Sequence, residues 1–181
     1  MNRDFIFDGN WERQIELDLL CDIFTLSGRY VDGEYKEQER RNSILLKIED
    51  SIDYEPDPHK AQINAINYIV NNQQDILEAF KDHILNIIFP LHRKYIDDEE
   101  IFFPQVQSTR DLDKVLGLDQ IIIHKEFKEN FAYSTYVFNF FSADREHGQS
   151  ITLHKTRFIS TGEDNDFKGI ETDLGLSLIH I

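Results

Sequence analysis

Residues 142–150 read SADREHGQS, which sets Asp144, Arg145, Glu146 and His147 in successive positions ahead of Gly148. A carboxylate beside an imidazole is the raw material of general acid–base chemistry, because histidine titrates near neutral pH. On that reading Glu146 or His147 is the general acid/base, and Arg145 or Lys155 steadies an anion. A metal site would draw on Glu146, His147 and His154, the nearest ligand-like set. Adjacent residues of an extended chain point to opposite faces, so Glu146 and His147 converge only if the loop turns between them. No metal and no other cofactor is therefore expected. A plain polar turn also accounts for the stretch: Gly148 supplies a positive φ and Asp144 bonds its own backbone. Where the charges do more than that, contact with another molecule is favoured over catalysis. The binding set is then Asp144, Arg145, Glu146, His147 and Gly148, with acidic connectors such as Asp97–Glu100 adding contact charge and with no catalytic residue.

The remainder of the chain offers little competing chemistry. It contains no Gly-rich phosphate loop, no H-E-x-x-H and no G-x-S-x-G. His59, His83, His92, His124, His147 and His154 are scattered. The single cysteine, Cys21, excludes an internal disulfide, and its apolar surroundings (IELDLLCDIF) make it a core residue rather than a nucleophile.

The elements that carry the loop follow from periodicity. Residues 11–24 alternate at Ile15, Leu17, Leu19 and Cys21, which predicts a strand, and 43–51 predict a second. Residues 27–41 are polar with two glycines and read as a turn or loose hairpin. Asp57 and Pro58 mark a helix start. Ile63, Ile66, Ile69 and Val70 continue the helical pattern, and after the polar NNQQD it resumes from Ile76 to Ile88. A short helix from Thr109 ends before Gly117. Three strands close the chain at 118–127, 131–141 and 151–160, the first two joined tightly through residues 128–130. The order β-β-α-α-β-β-β predicts an α+β fold: an antiparallel sheet of about five strands with two consecutive helices packed on one face.

Bulk properties set the frame. At 181 residues the chain suits one domain, and 14 Phe and 7 Tyr give it material for a core. The formal net charge is −15, which repels nucleic-acid phosphates and anionic lipid and attracts a basic protein. No apolar run reaches membrane-spanning length and no signal region opens the chain, so a cytoplasmic location is expected. The final LSLIHI, residues 176–181, matches the in-frame translation of a sequencing-library adapter. The expectation is a single domain over 1–175, truncated at its C-terminus and followed by a non-native tail.

Five segments carry a resemblance: PDPHKAQINAINYIVNN, LDKVLGLDQIIIHKEF, AYSTYVFNFF, DREHG and ITLHKTRFISTG. Together they resemble a family of small bacterial proteins of unknown function with a helical Gln and a Glu-His-Gly hairpin. That family's pattern sets an aromatic before the loop Asp, where this chain has Ala143; a stacking anchor there is lost or moved to Phe140 or Phe141. The family is similar in size and architecture to immunity proteins of toxin–immunity systems. The resemblance implies a binding protein that occludes a basic partner such as a toxin. An enzyme of unknown reaction, or a structural or regulatory module, is the alternative.

Overall fold

A computed structural model of the chain describes residues 6–7, 11–25, 28–31, 34–37, 42–49, 58–88, 109–140, 149–162 and 167–176. The elements in order are β1 (Ile6–Phe7), β2 (Trp11–Glu16), α1 (Asp18–Ile23), β3 (Gly28–Val31), β4 (Glu34–Glu37), β5 (Ser43–Ile48), α2 (Lys60–Asn71) and α3 (Gln73–His83). A π-helical turn (Ile84–Ile88) and a 3-10 helix (Thr109–Lys114) follow, then β6 (Leu116–Lys128), β7 (Phe131–Phe140), β8 (Gln149–His154), β9 (Arg157–Gly162) and α4 (Phe167–Leu174). The fold is α+β. Its main sheet has six strands in the order β2-β5-β6-β7-β8-β9, with the two-residue β1 added at the β2 edge, and β3 and β4 pair separately.

Three expectations are corrected. The sheet is mixed rather than antiparallel, because β5 and β6 run parallel with Leu45 opposite Gln120. A long crossover containing α2 and α3 returns the chain to the end where β5 began, which is what a parallel pair requires. The first strand stops at Glu16, and Asp18–Ile23 is helical. Leu17, Leu20, Cys21 and Phe24 are all buried at i, i+3, i+4 and i+7, a helical stripe that the apparent alternation had masked. The last predicted strand is a hairpin of β8 and β9, turned at Lys155 with φ 58°.

Helix α2 begins at Lys60, two residues beyond Pro58. His59 is the cap: its Nδ1 accepts from Ala61 N–H at 3.2 Å, and Gln62 Oε1 accepts from His59 N–H at 2.8 Å. This is a reciprocal capping box built on an imidazole. Between β6 and β7, Glu129 and Asn130 both hold positive φ (51° and 61°), as a two-residue type I′ turn demands.

Facing residues of the strands sort the sheet into two sides. Ile15, Ile44, Leu46, Ile48, Ile121, Ile123, Tyr136, Phe138, Ile151 and Leu153 share one side by register. There they pack with Ala65, Ile66 and Ile69 of α2 and Ile76, Leu77 and Phe80 of α3. Phe80 lies 5.5 Å from Phe24, 5.3 Å from Tyr136 and 5.7 Å from Phe138, ring to ring. Each such buried ring contributes about 1.5–3 kcal/mol through area removed from water.

The other side is smaller and more polar. Ile122, Tyr133, Thr135, Thr152 and His154 are buried there, and Ile170 of α4 is buried with them. Asp173 clamps α4 to the strands: it accepts from Tyr133 Oη at 2.6 Å and from both Arg157 guanidinium nitrogens at 2.7 Å. Lys128 Nζ adds a third contact at 3.3 Å.

Candidate functional site

The polar side of the sheet carries the densest chemistry among the described residues. Parallel pairing continues past the end of β5, where Glu49 N–H donates to Ile123 carbonyl at 2.9 Å, and this sets Glu49 beside His124. Strand β6 bulges at the same level. Ile123 pairs with Ser134 and Phe127 with Ala132, so His124, Lys125 and Glu126 share the space opposite Tyr133. A bulge re-aims side chains. Here the carboxylates of Glu49 and Glu126 and the His124 imidazole present ligand atoms that all lie within 4.8 Å of one another.

The imidazole is held at both nitrogens. His124 Nδ1 is 3.2 Å from Glu49 Oε2, and Nε2 is 2.6 Å from Thr135 Oγ1. Thr135 Oγ1 is in turn 2.7 Å from Thr152 Oγ1, and Lys125 N–H donates to Glu49 Oε2 at 3.4 Å. Phe167 of α4 lies edge-on to the imidazole at 5.3 Å. Below the cluster, Gln62 Nε2 donates to the backbone carbonyls of Glu49 (2.8 Å) and His124 (3.3 Å). One buried carboxamide thus fixes the start of α2, the end of β5 and the bulge of β6.

Carboxylate, imidazole and hydroxyl in series are the parts of an activated nucleophile. The setting removes that use. Thr135 is buried, and its oxygen is already engaged with Thr152 as well as His124. The arrangement offers a proton chain and ligand atoms, not an accessible nucleophile.

A second feature is a depression of about 290 Å³ between β9 and α4, lined by Arg157, Phe158, Ile159, Lys168, Gly169, Thr172 and Asp173. Arg157 is committed to Asp173 there. The guanidinium holds the Asp173 carboxyl well below the usual carboxylate range, with Tyr133 and Lys128 assisting. Burial, with Asp173 assisting, pushes the Tyr133 phenol up.

Asp144, Arg145, Glu146, His147 and Gly148 lie outside the described residues, as do Phe141, Asp97–Glu100, Asp57 and residues 177–181. Two of the other expected participants are described. His154 is buried, and its Nε2 lies 2.9 Å from Lys128 carbonyl, while Lys155 Nζ sits 4.0 Å over the Phe131 ring at the far end of β8. Phe138 pairs with Gln149, so β7 ends and β8 begins at the end of the sheet opposite Lys155. Sequence reasoning passed over Glu49, His124 and Glu126. The i, i+2 spacing of His124 and Glu126 within a strand was the available signal.

Charge gathers at the end of the sheet where β7 ends and β8 begins. Glu16 is paired with Ser43 there, and Leu116 with Phe140. Glu16, Asp18 and Asp22 are exposed on β2 and α1, and α1 packs against the 3-10 helix that bears Asp111. Asp111 bridges Lys114 at 2.7 Å.

A family model described as a domain of unknown function (DUF6985) matches residues 7–167. No curated protein and no solved structure matches the chain.

Proposed function

The chain belongs to the DUF6985 family, a domain of unknown function, and from that premise we propose that it is a binding protein, an immunity-type inhibitor that occludes a basic partner such as a toxin. The observation that carries this reading is the coincidence of charge and position. A chain of net charge −15 exposes Glu16, Asp18 and Asp22 at the sheet end where β7 stops at Phe140 and β8 starts at Gln149, the two strands that flank Asp144, Arg145, Glu146, His147 and Gly148 in the sequence. Carboxylates arrayed at one end of a rigid sheet steer a cationic surface toward it and fix its orientation, and nearby aromatic side chains supply anchors. The likeness to immunity proteins is an analogy of size and architecture, and the mechanism is occlusion, with no bond made or broken.

The test uses the product of a neighbouring toxin-like gene. The expected result is 1:1 binding whose affinity falls steeply as salt rises. A Glu16→Lys/Asp22→Lys double variant is expected to bind at least tenfold more weakly, mostly through slower association. Binding indifferent to both ionic strength and this charge reversal would remove the electrostatic account.

A further inference from the structure

We propose that Glu49, His124 and Glu126 form a binding site for a divalent transition-metal ion of the zinc type. The inference is independent of the proposed partner contact, because the cluster lies on the α4 side of the sheet at the end away from Glu16 and Gln149.

The argument begins with an unsatisfied atom. Glu126 Oε2 is shut off from solvent and has no hydrogen-bond partner among the described residues. A buried carboxylate oxygen without a partner is costly, and here a second carboxylate, that of Glu49, stands within the same 4.8 Å cluster and adds repulsion. A shared proton or a bound cation between them relieves both.

Besides an imidazolium that donates to Glu49 and Thr135 at once, which still leaves Glu126 Oε2 without a partner, two proton arrangements of the neutral ring are compatible with the distances. In the first, Nδ1–H donates to Glu49 and the Thr135 hydroxyl donates to Nε2. That satisfies His124 but leaves Glu126 unpartnered. In the second, Nε2–H donates to Thr135 Oγ1, and Thr135 donates onward to Thr152 Oγ1. The Nδ1 lone pair then faces Glu49 Oε2 at 3.2 Å, which is repulsive unless a cation lies between them. A metal ion in that position takes Nδ1 and both carboxylates and resolves all three conflicts at once.

The surroundings match what such an ion needs. Two ligands of one tetrahedral zinc ion stand about 3.4 Å apart, close to the Glu49–His124 separation, and small rotations of the Glu126 side chain close the rest. A ligating histidine ordinarily donates its other N–H to an outer partner, which Thr135 is placed to accept. One imidazole and two carboxylates favour zinc or manganese over soft, thiolate-seeking ions. The Glu49 side chain is 21% exposed, giving the ion a way in. The Gln62 bonds to the carbonyls of Glu49 and His124 hold two of the three ligand-bearing backbones fixed.

The experiment titrates Zn²⁺ into the full chain after chelator treatment, by calorimetry and by thermal unfolding. One ion per chain and a rise in Tm are expected. Glu126→Gln is expected to weaken binding at least tenfold while the circular dichroism stays native; Glu49→Gln serves the same purpose should Glu126→Gln fail to fold. Thr135→Val is expected to keep the 1:1 stoichiometry with weaker affinity, as loss of an outer partner does. No uptake at roughly 1 mM Zn²⁺, where even weak sites fill, overturns the proposal. Uptake untouched by both carboxylate substitutions also overturns it. A Glu126→Gln protein that gains stability while the parent ignores zinc would show that a proton, not a metal, bridges the cluster.

Discussion

The Gln62 carboxamide donates to the backbone carbonyl of His124 at 3.3 Å, so the first turn of α2 is bonded to the bulge of β6 on the far side of a long crossover. The same group accepts from His59 N–H and donates to Glu49 carbonyl, both at 2.8 Å. Its burial among three backbone partners makes it the joint between the helical layer and the polar side of the sheet.

Replacing that joint has a defined cost. Gln62→Leu keeps the side chain's bulk but leaves two carbonyls and one N–H without their partner. The expected loss is about 2–4 kcal/mol, from unsatisfied backbone groups rather than from lost packing. Urea unfolding of the variant against the parent measures it; a loss under about 0.5 kcal/mol, the range of ordinary surface changes, would show that the joint is dispensable.

Asp173 gives stability a pH dependence of predictable sign. Its folded-state carboxyl is more acidic than an unfolded one because Arg157, Tyr133 and Lys128 favour the charged form. The stabilisation is therefore complete above the ordinary aspartate value of about 3.9 and is lost as pH falls through the lower folded value. Asp173→Asn is expected to cost about 1–3 kcal/mol near neutrality, and the gap to the parent should begin to narrow below about pH 4 and go on narrowing with further acidification. Thermal unfolding from neutral to acidic pH checks this. A gap that widens on acidification would contradict the assignment.

Gly169 faces Ser160 so closely that an added Cβ would collide with the serine side chain. Two effects oppose each other in Gly169→Ala. Helix propensity favours alanine by about 1 kcal/mol, whereas forcing α4 off β9 costs about 1–3 kcal/mol. The clash involves a Cβ that cannot rotate away, so net destabilisation is expected. Gly169→Ala/Ser160→Gly should recover most of it. Failure of the double variant to recover would place the strain elsewhere.

Cys21 is buried, and burial pushes its thiol up from the ordinary cysteine range. The thiolate is the reactive form. A thiol reagent at pH 8 is expected to label the native chain far more slowly than the chain in denaturant. Equal rates would mean that α1 opens readily.

Legibility in the sequence followed how local each signal was. The helices beyond Pro58 and the strands that begin near residues 118 and 131 were readable because their apolar spacing is regular over ten or more residues. The core role of Cys21 was readable from its apolar neighbours. Helix α1 was hidden because Ile15, Leu17, Leu19 and Cys21 satisfy the strand period while Leu17, Leu20, Cys21 and Phe24 satisfy the helical one, and only burial of Leu20 and Phe24 decides between them. The β8–β9 turn carries no glycine; Lys155 itself takes the left-handed conformation, over the Phe131 ring. The Glu49–His124–Glu126 cluster depends on a parallel pairing and a bulge, both set by contacts distant in sequence. No local pattern announces either. SADREHGQS looked more chemical than IIIHKEF because its charges are adjacent, yet strand alternation is what sets side chains on a common face.

The parallel pairing of β5 with β6 has a consequence for synthesis. β2 and β5 leave the ribosome well before Gln120–Ile123 exist to cover the backbone of Leu45–Ile48. During that interval the nascent hairpin carries an open edge and the bare Ile44, Leu46 and Ile48 side chains, a ready target for chaperones and for misassociation. The β6–β9 meander, whose neighbours in sequence are neighbours in space, can form as soon as it is made, and the early strands are completed by docking onto it.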